Sequence, residues 1–253
     1  LRNGIWAYTN ERLCKDDLIT VQIVENECSD NIAPVNLPLD IAYEDDDIIV
    51  INKPFDMPAH PSAGNHDNTL ANALMYYYGS QNKPFVYRCI NRLDRDTTGL
   101  TIVAKHALAG GILGNAVAKR AIHRTYYAVC SGCTPACMRI SAPIARKDAS
   151  TIERCVDFKR GENAVTDFIR IKYNPDNNLS LVKLRLLTGR THQIRVHMKY
   201  IGFPLIGDFL YNPDYTYISR QALHSGRLVF THPVTGQKMN LISDIPSDMK
   251  SLF

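Results

Sequence analysis

Short apolar runs, each followed by turn-forming residues, recur along the chain from Leu39 onward. Continuous or alternating apolar runs predict strands at residues 47–52, 99–104, 124–130, 166–173, 179–187 and 222–230. Apolar residues at helical spacing predict helices at residues 69–78, 107–121 and 194–200, and Asn68 is the expected N-cap of the first helix. Many strands with a few helices, outside a regular βαβ alternation, predict an α+β fold around a mixed, mostly antiparallel central sheet.

The first 37 residues differ from the rest of the chain. Residues 18–24 form a β-branched alternating run that predicts a strand, and residues 31–38 form a connector that contains proline. We interpret residues 1–37 as the tail of a preceding module plus a linker, and residues 38–253 as the main domain. Because the chain starts with Leu1 and not with methionine, we expect further residues upstream.

Composition indicates an ordinary globular protein of the cytoplasm. The 253 residues are 45% hydrophobic and 21% charged, and no apolar run approaches the roughly 20 residues that span a membrane. Seven cysteines without a secretion signal predict free thiols in a reducing compartment. Cys130, Cys133 and Cys137 supply three sulfurs where a structural zinc site needs four ligands, so a turn that carries thiols is favoured over a metal site completed by Cys89 or Cys155.

The net charge of +4 is only mildly basic, but its distribution is uneven. Residues 43–47 are acidic, whereas residues 181–200 contain five lysines and arginines and no acidic side chain. A local positive field of this kind attracts polyanions such as a phosphate backbone. Charge alone also fits a solvated strand face, which is the more common explanation.

Residues 89–99 carry the first candidate chemistry, because two arginines and two aspartates alternate there in a turn that ends at Gly99. A carboxylate next to guanidinium groups is favoured in its charged form, which a carboxylate nucleophile requires. Asp94 is therefore a candidate nucleophile. A set of surface ion pairs would have the same pattern.

Residues 188–197 hold two arginines, two histidines and a glutamine within ten residues. His192 and His197 are five residues apart, which is poor spacing for a metal on one helix face. Arg190 and Arg195 are better suited to bind an anion or a carboxylate.

The third stretch, Arg124 to Ala128, opens a strand with a cation followed by two tyrosines, of which at most one faces a site. A tyrosine pair in a strand is more often part of the core.

Together and in order, these stretches resemble the RluA-type family of RNA pseudouridine synthases. Further landmarks of the resemblance are residues 39–46, 52–54, 60–61, 69–73, 189–211, 222–224 and 231–236. The family usually has histidine where this chain has Asn91, which keeps hydrogen-bonding capacity but cannot titrate. The resemblance implies the pseudouridine synthase fold with a catalytic cleft, an RNA partner (ribosomal or transfer RNA), no cofactor and no metal. Residues 1–37 would then be the remnant of an N-terminal RNA-binding module, and a monomer is the default expectation.

The resemblance also implies roles for individual residues. Asp94 is the nucleophile, Tyr126 packs against the uracil and assists proton removal, and Arg195 pairs with Asp94. Arg92 is placed to fill the space of the extruded nucleotide. The other residues that we expect to contact RNA are Asn91, Arg124, Arg190, His192 and Gln193.

Two alternative functions compete with this interpretation. The first is a protein of the same fold that binds RNA or assists ribosome assembly without catalysis, and Asn91 is the one feature in its favour. The second is a metal-dependent hydrolase or nuclease built on Asp94, Asp96 and His192. That alternative requires several carboxylates around a cation, whereas these motifs contain more arginine than carboxylate.

Overall fold

The computed structural model describes residues 1–22, 26–148 and 152–253. In chain order its strands are β1 (Ile41–Glu44), β2 (Ile48–Lys53), β3 (Arg88–Cys89), β4 (Thr98–Ala104), β5 (His123–Ser131), β6 (Cys137–Ser141), β7 (Ile144–Arg146), β8 (Arg154–Val156), β9 (Val165–Asn174), β10 (Leu179–Leu186), β11 (Leu223–Thr231) and β12 (Lys238–Ile242). Its helices are α1 (Leu70–Gly79), α2 (Ala107–Ala118), α3 (Gln193–Tyr200) and α4 (Ser247–Lys250). Every strand and helix predicted beyond Leu39 is present, with ends that shift by three residues at most.

Ten strands form one sheet in the order β1-β2-β4-β11-β5-β10-β9-β6, with β12 paired to β11 and β3 paired to β4. Among the described residues β4 and β11 form the one parallel pair, and the other ladders are antiparallel. The predicted mixed, mostly antiparallel α+β architecture is therefore confirmed. Parallel strands start at the same edge of a sheet, so the loop before β4 and the segment before β11 lie side by side.

Apolar side chains cover both faces of the sheet at β2 and β4. Val50 and Ile102 pack towards α2 on one face, while Ile51 and Val103 pack towards α1 on the other. Burial on both faces explains why these strands are continuous apolar runs without alternation. A third cluster packs α3 against β5, β9 and β10, and it includes the buried Leu93.

The helix ends show where the sequence-based prediction was wrong. Thr69, and not Asn68, caps α1: its hydroxyl accepts a hydrogen bond from the Asn72 backbone, and the Asn72 side chain accepts one from the Thr69 backbone. This reciprocal arrangement satisfies two backbone donors at once. Helix α2 ends at Ala118 because Arg120 adopts the left-handed backbone conformation, with φ of 58°.

Residues 1–22 contribute little to the core. Trp6, Tyr8 and Val21 are among several large apolar side chains there that are exposed. In the described part of the predicted strand 18–24, Ile19 forms only an isolated bridge with Arg2, and residues 23–25 lie outside the described residues. The connector packs on the domain, since Ile32 and Leu37 contact the cluster under α1. The domain division after residue 37 stays a prediction.

No helix within the described ranges is both long and apolar enough to cross a membrane. The cysteines are free thiols. Cys130 is buried in the core, and burial raises the pKa of its thiol, whereas Cys133 and Cys137 are exposed. The three sulfurs therefore occupy different environments, which favours the thiol-bearing turn over a shared metal site.

Candidate active site

Asp94 lies in the loop between β3 and β4. Asn91 fixes the start of this loop, because its side-chain amide donates to the carbonyl of Leu100 at 3.2 Å and accepts from the backbone of Ile102 at 2.8 Å. A turn follows, in which the Thr97 backbone donates to the Asp94 carbonyl at 3.1 Å. Leu93 packs into the core, so that Asp94 and the exposed Arg92 on either side of it line an open cleft.

The end of the same loop is held against the start of β11. Gly99 has φ of 108°, and a Cβ atom there would lie 2.3 Å from the carbonyl oxygen of Ser225. Only glycine permits this approach. Next to it, the Thr98 hydroxyl and His224 Nδ1 are 2.9 Å apart, and the Gln221 amide donates to the Thr97 hydroxyl at 2.7 Å. The backbone around Asp94 is thus supported on both sides.

Arg195 lies on α3, within the motif of residues 188–197, and its side chain contacts Asp94, the candidate nucleophile. Its Nη1 donates to Asp94 Oδ2 at 2.8 Å, while Nε and Nη2 donate to the two oxygens of Asp208 at 2.7 and 2.8 Å. Arg195 is 2% exposed and Asp208 is fully buried. Burial alone would lower the pKa of the guanidinium, but its hydrogen bonds to Asp208 and the charge of Asp94 raise it. Asp94 therefore faces a permanent cation.

His192 lies beside the same carboxylate. It precedes α3 with a left-handed φ of 57°, and its Nε2 is 3.9 Å from Asp94 Oδ2. The Tyr211 hydroxyl lies 2.9 Å from His192 Nδ1 and accepts a hydrogen bond from the Arg154 backbone N–H. Burial raises the pKa of Tyr211 to about 12 and lowers that of His192. A neutral phenol that donates to Nδ1 leaves the His192 Nε2 proton directed towards Asp94.

Tyr126 lies on β5 at the wall of the cleft and is 4% exposed. Its partner in the tyrosine pair, Tyr127, is less buried and packs in a different cluster, as the alternation of side chains along a strand requires. Burial raises the pKa of Tyr126, and the nearby charge of Asp94 acts in the same direction. The phenol therefore stays neutral at neutral pH.

The cleft has a volume of about 900 Å³. Asp94, Tyr126, His192 and Arg195 lie on its walls. It is also lined by cations that form no ion pair with any described residue: Arg92, Arg120, Arg124 and Arg185. An electropositive cleft of this size around one carboxylate suits a nucleotide within an RNA strand.

The family model for RNA pseudouridylate synthases matches residues 47–200. The chain belongs to the RNA pseudouridylate synthase family.

Curated relatives agree with this assignment. The uncharacterized RNA pseudouridine synthase YjbO of Bacillus subtilis is 41% identical over 99% of this chain and 88% of its own length. The ribosomal large subunit pseudouridine synthase D of Haemophilus influenzae is 41% identical over 100% of this chain and 81% of its own length. Among solved structures, human RNA pseudouridylate synthase domain containing 1 superposes with a TM-score of 0.70 and 25% identity, covering 85% of this chain and 87% of that one.

The RluA-type resemblance, the pseudouridine synthase fold and the expectation of an RNA-modifying isomerase are therefore confirmed. The structure of this synthase also places the residues predicted to contact RNA. Arg92, Arg124 and His192 line the cleft. Arg190 lines it as well, but its guanidinium is paired with Glu162 and does not reach Asp94.

Two of the residues that we expected to contact RNA use their side chains for hydrogen bonds within the protein. Gln193 is 2% exposed, and its amide bonds the Thr188 hydroxyl, the Arg190 backbone, Thr166 and Val165. Asn91 is also buried and bonded to β4. Both side chains shape the cleft wall, and a direct contact of either with RNA stays a prediction.

Sequence reasoning missed three side chains that build the site of this synthase. Asp208 and Tyr211 follow a buried turn, and both support the residues around Asp94. Lys53 is buried and donates to the carbonyls of Pro54 and Arg95 at 2.7 and 2.8 Å. The bond to Arg95 fixes the loop between β3 and β4 against the end of β2. Burial lowers the pKa of Lys53 to about 7, against the opposing charges of Asp96 and Asp94. A charged residue at the end of an apolar run is the signal that marks Lys53, and a charged residue within an apolar run marks Asp208.

The geometry does not favour the metal-dependent alternative. Asp96 does not line the cleft and pairs with Arg95, so the carboxylates of residues 94 and 96 do not converge on one point. Among the described residues, Asp45, Asp47 and His232 form a group with metal-compatible spacing. There His232 Nδ1 accepts backbone N–H groups, so Nε2 carries a proton that it donates to Asp45. That group is a hydrogen-bonded junction between the β1–β2 turn and the turn after β11.

Proposed function

We propose that this synthase converts a specific uridine of structured RNA to pseudouridine with Asp94 as the nucleophile. A site in large-subunit ribosomal RNA is the first candidate substrate, since relatives with about 40% identity are named for that RNA. The observation that carries the proposal is the position of Asp94: its carboxylate opens into the cleft while Arg195 binds one of its oxygens.

The reaction is an isomerisation, so it needs no external reactant. Asp94 attacks the target uridine at the base or the sugar, and the bond from C1′ to N1 breaks. The uracil turns within the cleft and rejoins C1′ through C5, and the bond between Asp94 and the substrate breaks to release the carboxylate. The C5 proton is lost and N1 gains a proton. A carboxylate nucleophile needs no activating base, and Arg195 is positioned to hold the Asp94 carboxylate in place.

Tyr126 and Arg92 have separate roles in this proposal. Since burial keeps the Tyr126 phenol neutral, its position supports packing against the uracil more strongly than action as the base that removes the C5 proton. A stacked uracil cannot turn in place, so it must leave the helix at a cost of about a few kcal/mol. Arg92 is exposed at the mouth of the cleft and has no ion pair with a described residue, which suits insertion into the vacated stack.

Pseudouridine mapping at single-nucleotide resolution tests the proposal. Unmodified ribosomal and transfer RNA transcripts are incubated with the protein, and Asp94→Asn serves as the control. New pseudouridines that appear only with the unaltered chain identify both activity and substrate. RNA binding without conversion, in a chain extended upstream as well as in this one, would instead favour the binding-only alternative.

A further inference from the structure

A second basic pocket lies next to the cleft and is not used by the chemistry described above. It encloses about 480 Å³ between the β7–β8 ribbon and the turn before α3. Gly189, Arg190 and Thr191 line both the pocket and the cleft, so the two are continuous. Four arginines line the pocket against a single carboxylate, that of Glu162: Arg146, Arg154, Arg160 and Arg190.

Two of these arginines are already neutralised within the protein. Arg160 pairs with Asp148 and Asp157, and Arg190 pairs with Glu162. The other two have no carboxylate partner among the described residues. The Arg154 guanidinium donates only to the backbone carbonyls of Ile152 and Glu153 at 3.2 and 3.3 Å, and the Arg146 side chain makes no hydrogen bond with a described residue.

The unpaired cations are held close together by the fold. Arg146 and Arg154 are directly opposite each other in the antiparallel β7–β8 ladder, and therefore project from the same face of the ribbon. Like charges at directly opposite positions destabilise a strand pair. The ribbon has only three residue pairs, so this repulsion falls on a small element. An anion between the two guanidinium groups would turn the repulsion into attraction.

The ribbon is also joined to the catalytic residues. The Arg154 backbone donates to the Tyr211 hydroxyl at 2.9 Å, and the Tyr211 hydroxyl lies 2.9 Å from His192 Nδ1. The Arg195 guanidinium lies 5.0 Å from the centre of the Tyr211 ring. The positive charge of Arg154 contributes to the low pKa of His192, after burial as the main cause. The ribbon is thus linked to Asp94 through the side chains of Tyr211 and His192.

We propose that Arg146 and Arg154 form a clamp for one backbone phosphate of the substrate RNA, near the nucleotide that enters the cleft. The identification of the anion as an RNA phosphate rests on the proposed function. The two unpaired arginines at opposite positions of the ribbon are observed independently of it. A phosphate diester fits because a guanidinium group can donate two parallel hydrogen bonds to phosphate oxygens. A continuous RNA strand can also occupy the pocket and the cleft together. The clamp would set the register of the strand, and the cleft would select the base.

The test compares RNA binding by Arg146→Gln, Arg154→Gln and the double variant. Arg139→Gln is the matched control, because Arg139 is an exposed strand arginine that lines neither pocket nor cleft. Dissociation constants are measured on large-subunit ribosomal RNA transcripts at several salt concentrations. Each clamp variant is expected to bind about fivefold more weakly, and to lower the slope of log affinity against log salt by about 0.7 to 0.9. Arg146→Lys keeps the charge and is expected to keep the slope.

Two further readouts separate a clamp from a structural role. The melting temperature of Arg146→Gln should equal or exceed that of the unaltered protein, because the change removes a like-charge pair. At saturating RNA, the kcat of Arg146→Gln should be unchanged while its KM rises. Affinities and salt slopes equal to those of Arg139→Gln would overturn the clamp, and so would a weaker affinity that comes with a lower melting temperature. If RNA binds with the expected differences but the unaltered protein forms no pseudouridine, the proposed function fails and the clamp stands.

Discussion

Asp208 orients Arg195 by accepting two hydrogen bonds from its guanidinium, at 2.7 and 2.8 Å. The same Asp208 carboxylate accepts the backbone N–H groups of Leu210 and Tyr211. Two of the three nitrogens of the Arg195 guanidinium are thus fixed by a buried partner, and the third is left for Asp94. The cation next to the candidate nucleophile has little freedom to move away from it.

Replacing Asp208 with asparagine should destabilise the fold by about 3–5 kcal/mol, because Arg195 would keep its charge in a buried site without a full partner. The matched control is Asp167→Asn, which breaks the exposed pair with Arg139 and should cost at most about 1 kcal/mol. Urea unfolding of both variants measures the difference. Equal free energies of unfolding would show that burial of the Arg195 pair has no energetic weight.

Asp94→Asn should lower kcat by about 10⁴-fold or more, because it removes the proposed nucleophile and keeps the shape of the side chain. The Asp94 side chain is 30% exposed, so the fold should tolerate the change, and RNA affinity should stay within about twofold. Asp56→Asn removes an exposed carboxylate near the same loop and is expected to leave kcat unaltered. Single-turnover assays with mapped RNA give both values. Catalytic activity in the Asp94→Asn variant would contradict the proposed mechanism.

Gly99→Ala should unfold or severely destabilise the junction between β4 and β11. The added methyl group would lie 2.3 Å from the Ser225 oxygen at a φ of 108°, and the backbone would have to move. Gly111→Ala is the control, because nothing lies within 4 Å of its Cβ position on the exposed side of α2. That change should stabilise the protein by about 0.5–1 kcal/mol. Thermal melts that rank the two variants in the opposite order would contradict this account of the junction.

Acid should weaken the fold through His224. Burial lowers its pKa to about 4, although its hydrogen bond to the Ser243 carbonyl acts in the opposite direction. The unfolded chain binds this proton below about pH 6.5 and the folded chain does not, so stability falls as the pH drops from about 6.5 to about 4. Between pH 6.5 and 5 the contribution is about 2 kcal/mol. The difference in unfolding free energy between these pH values should therefore be smaller in His224→Asn by about that amount.

Chelation should leave the activity unchanged. Among the described residues that line the cleft, Asp94 is the only carboxylate, and Arg195 already binds one of its oxygens, so a divalent cation has no ligand set there. Mapping assays with and without a chelator check this directly. Activity that is lost with the chelator and restored by a divalent cation would revive the hydrolase alternative.

The sequence predicted the main strands and helices because their apolar patterns are determined by local burial. It also predicted Asp94, Tyr126 and Arg195 as site residues, since their motifs match a known family in order, and the structure brings the three to one cleft. The short strands β7 and β8 escaped prediction because three residues carry no measurable periodicity. Asp208 and Tyr211 escaped because their importance arises from contacts with distant segments. Asn91 and Gln193 are polar residues in a motif, and nothing in a motif tells whether an amide faces the ligand or the protein.

The ion pair between Asp94 and Arg195 joins residues 101 positions apart, and Asp208 lies 13 positions further on. A chain that is still emerging from the ribosome exposes the carboxylate long before its cation and the support for that cation have been made. The ion pair therefore forms only after α3 and the turn that holds Asp208 have been synthesised and have joined the sheet.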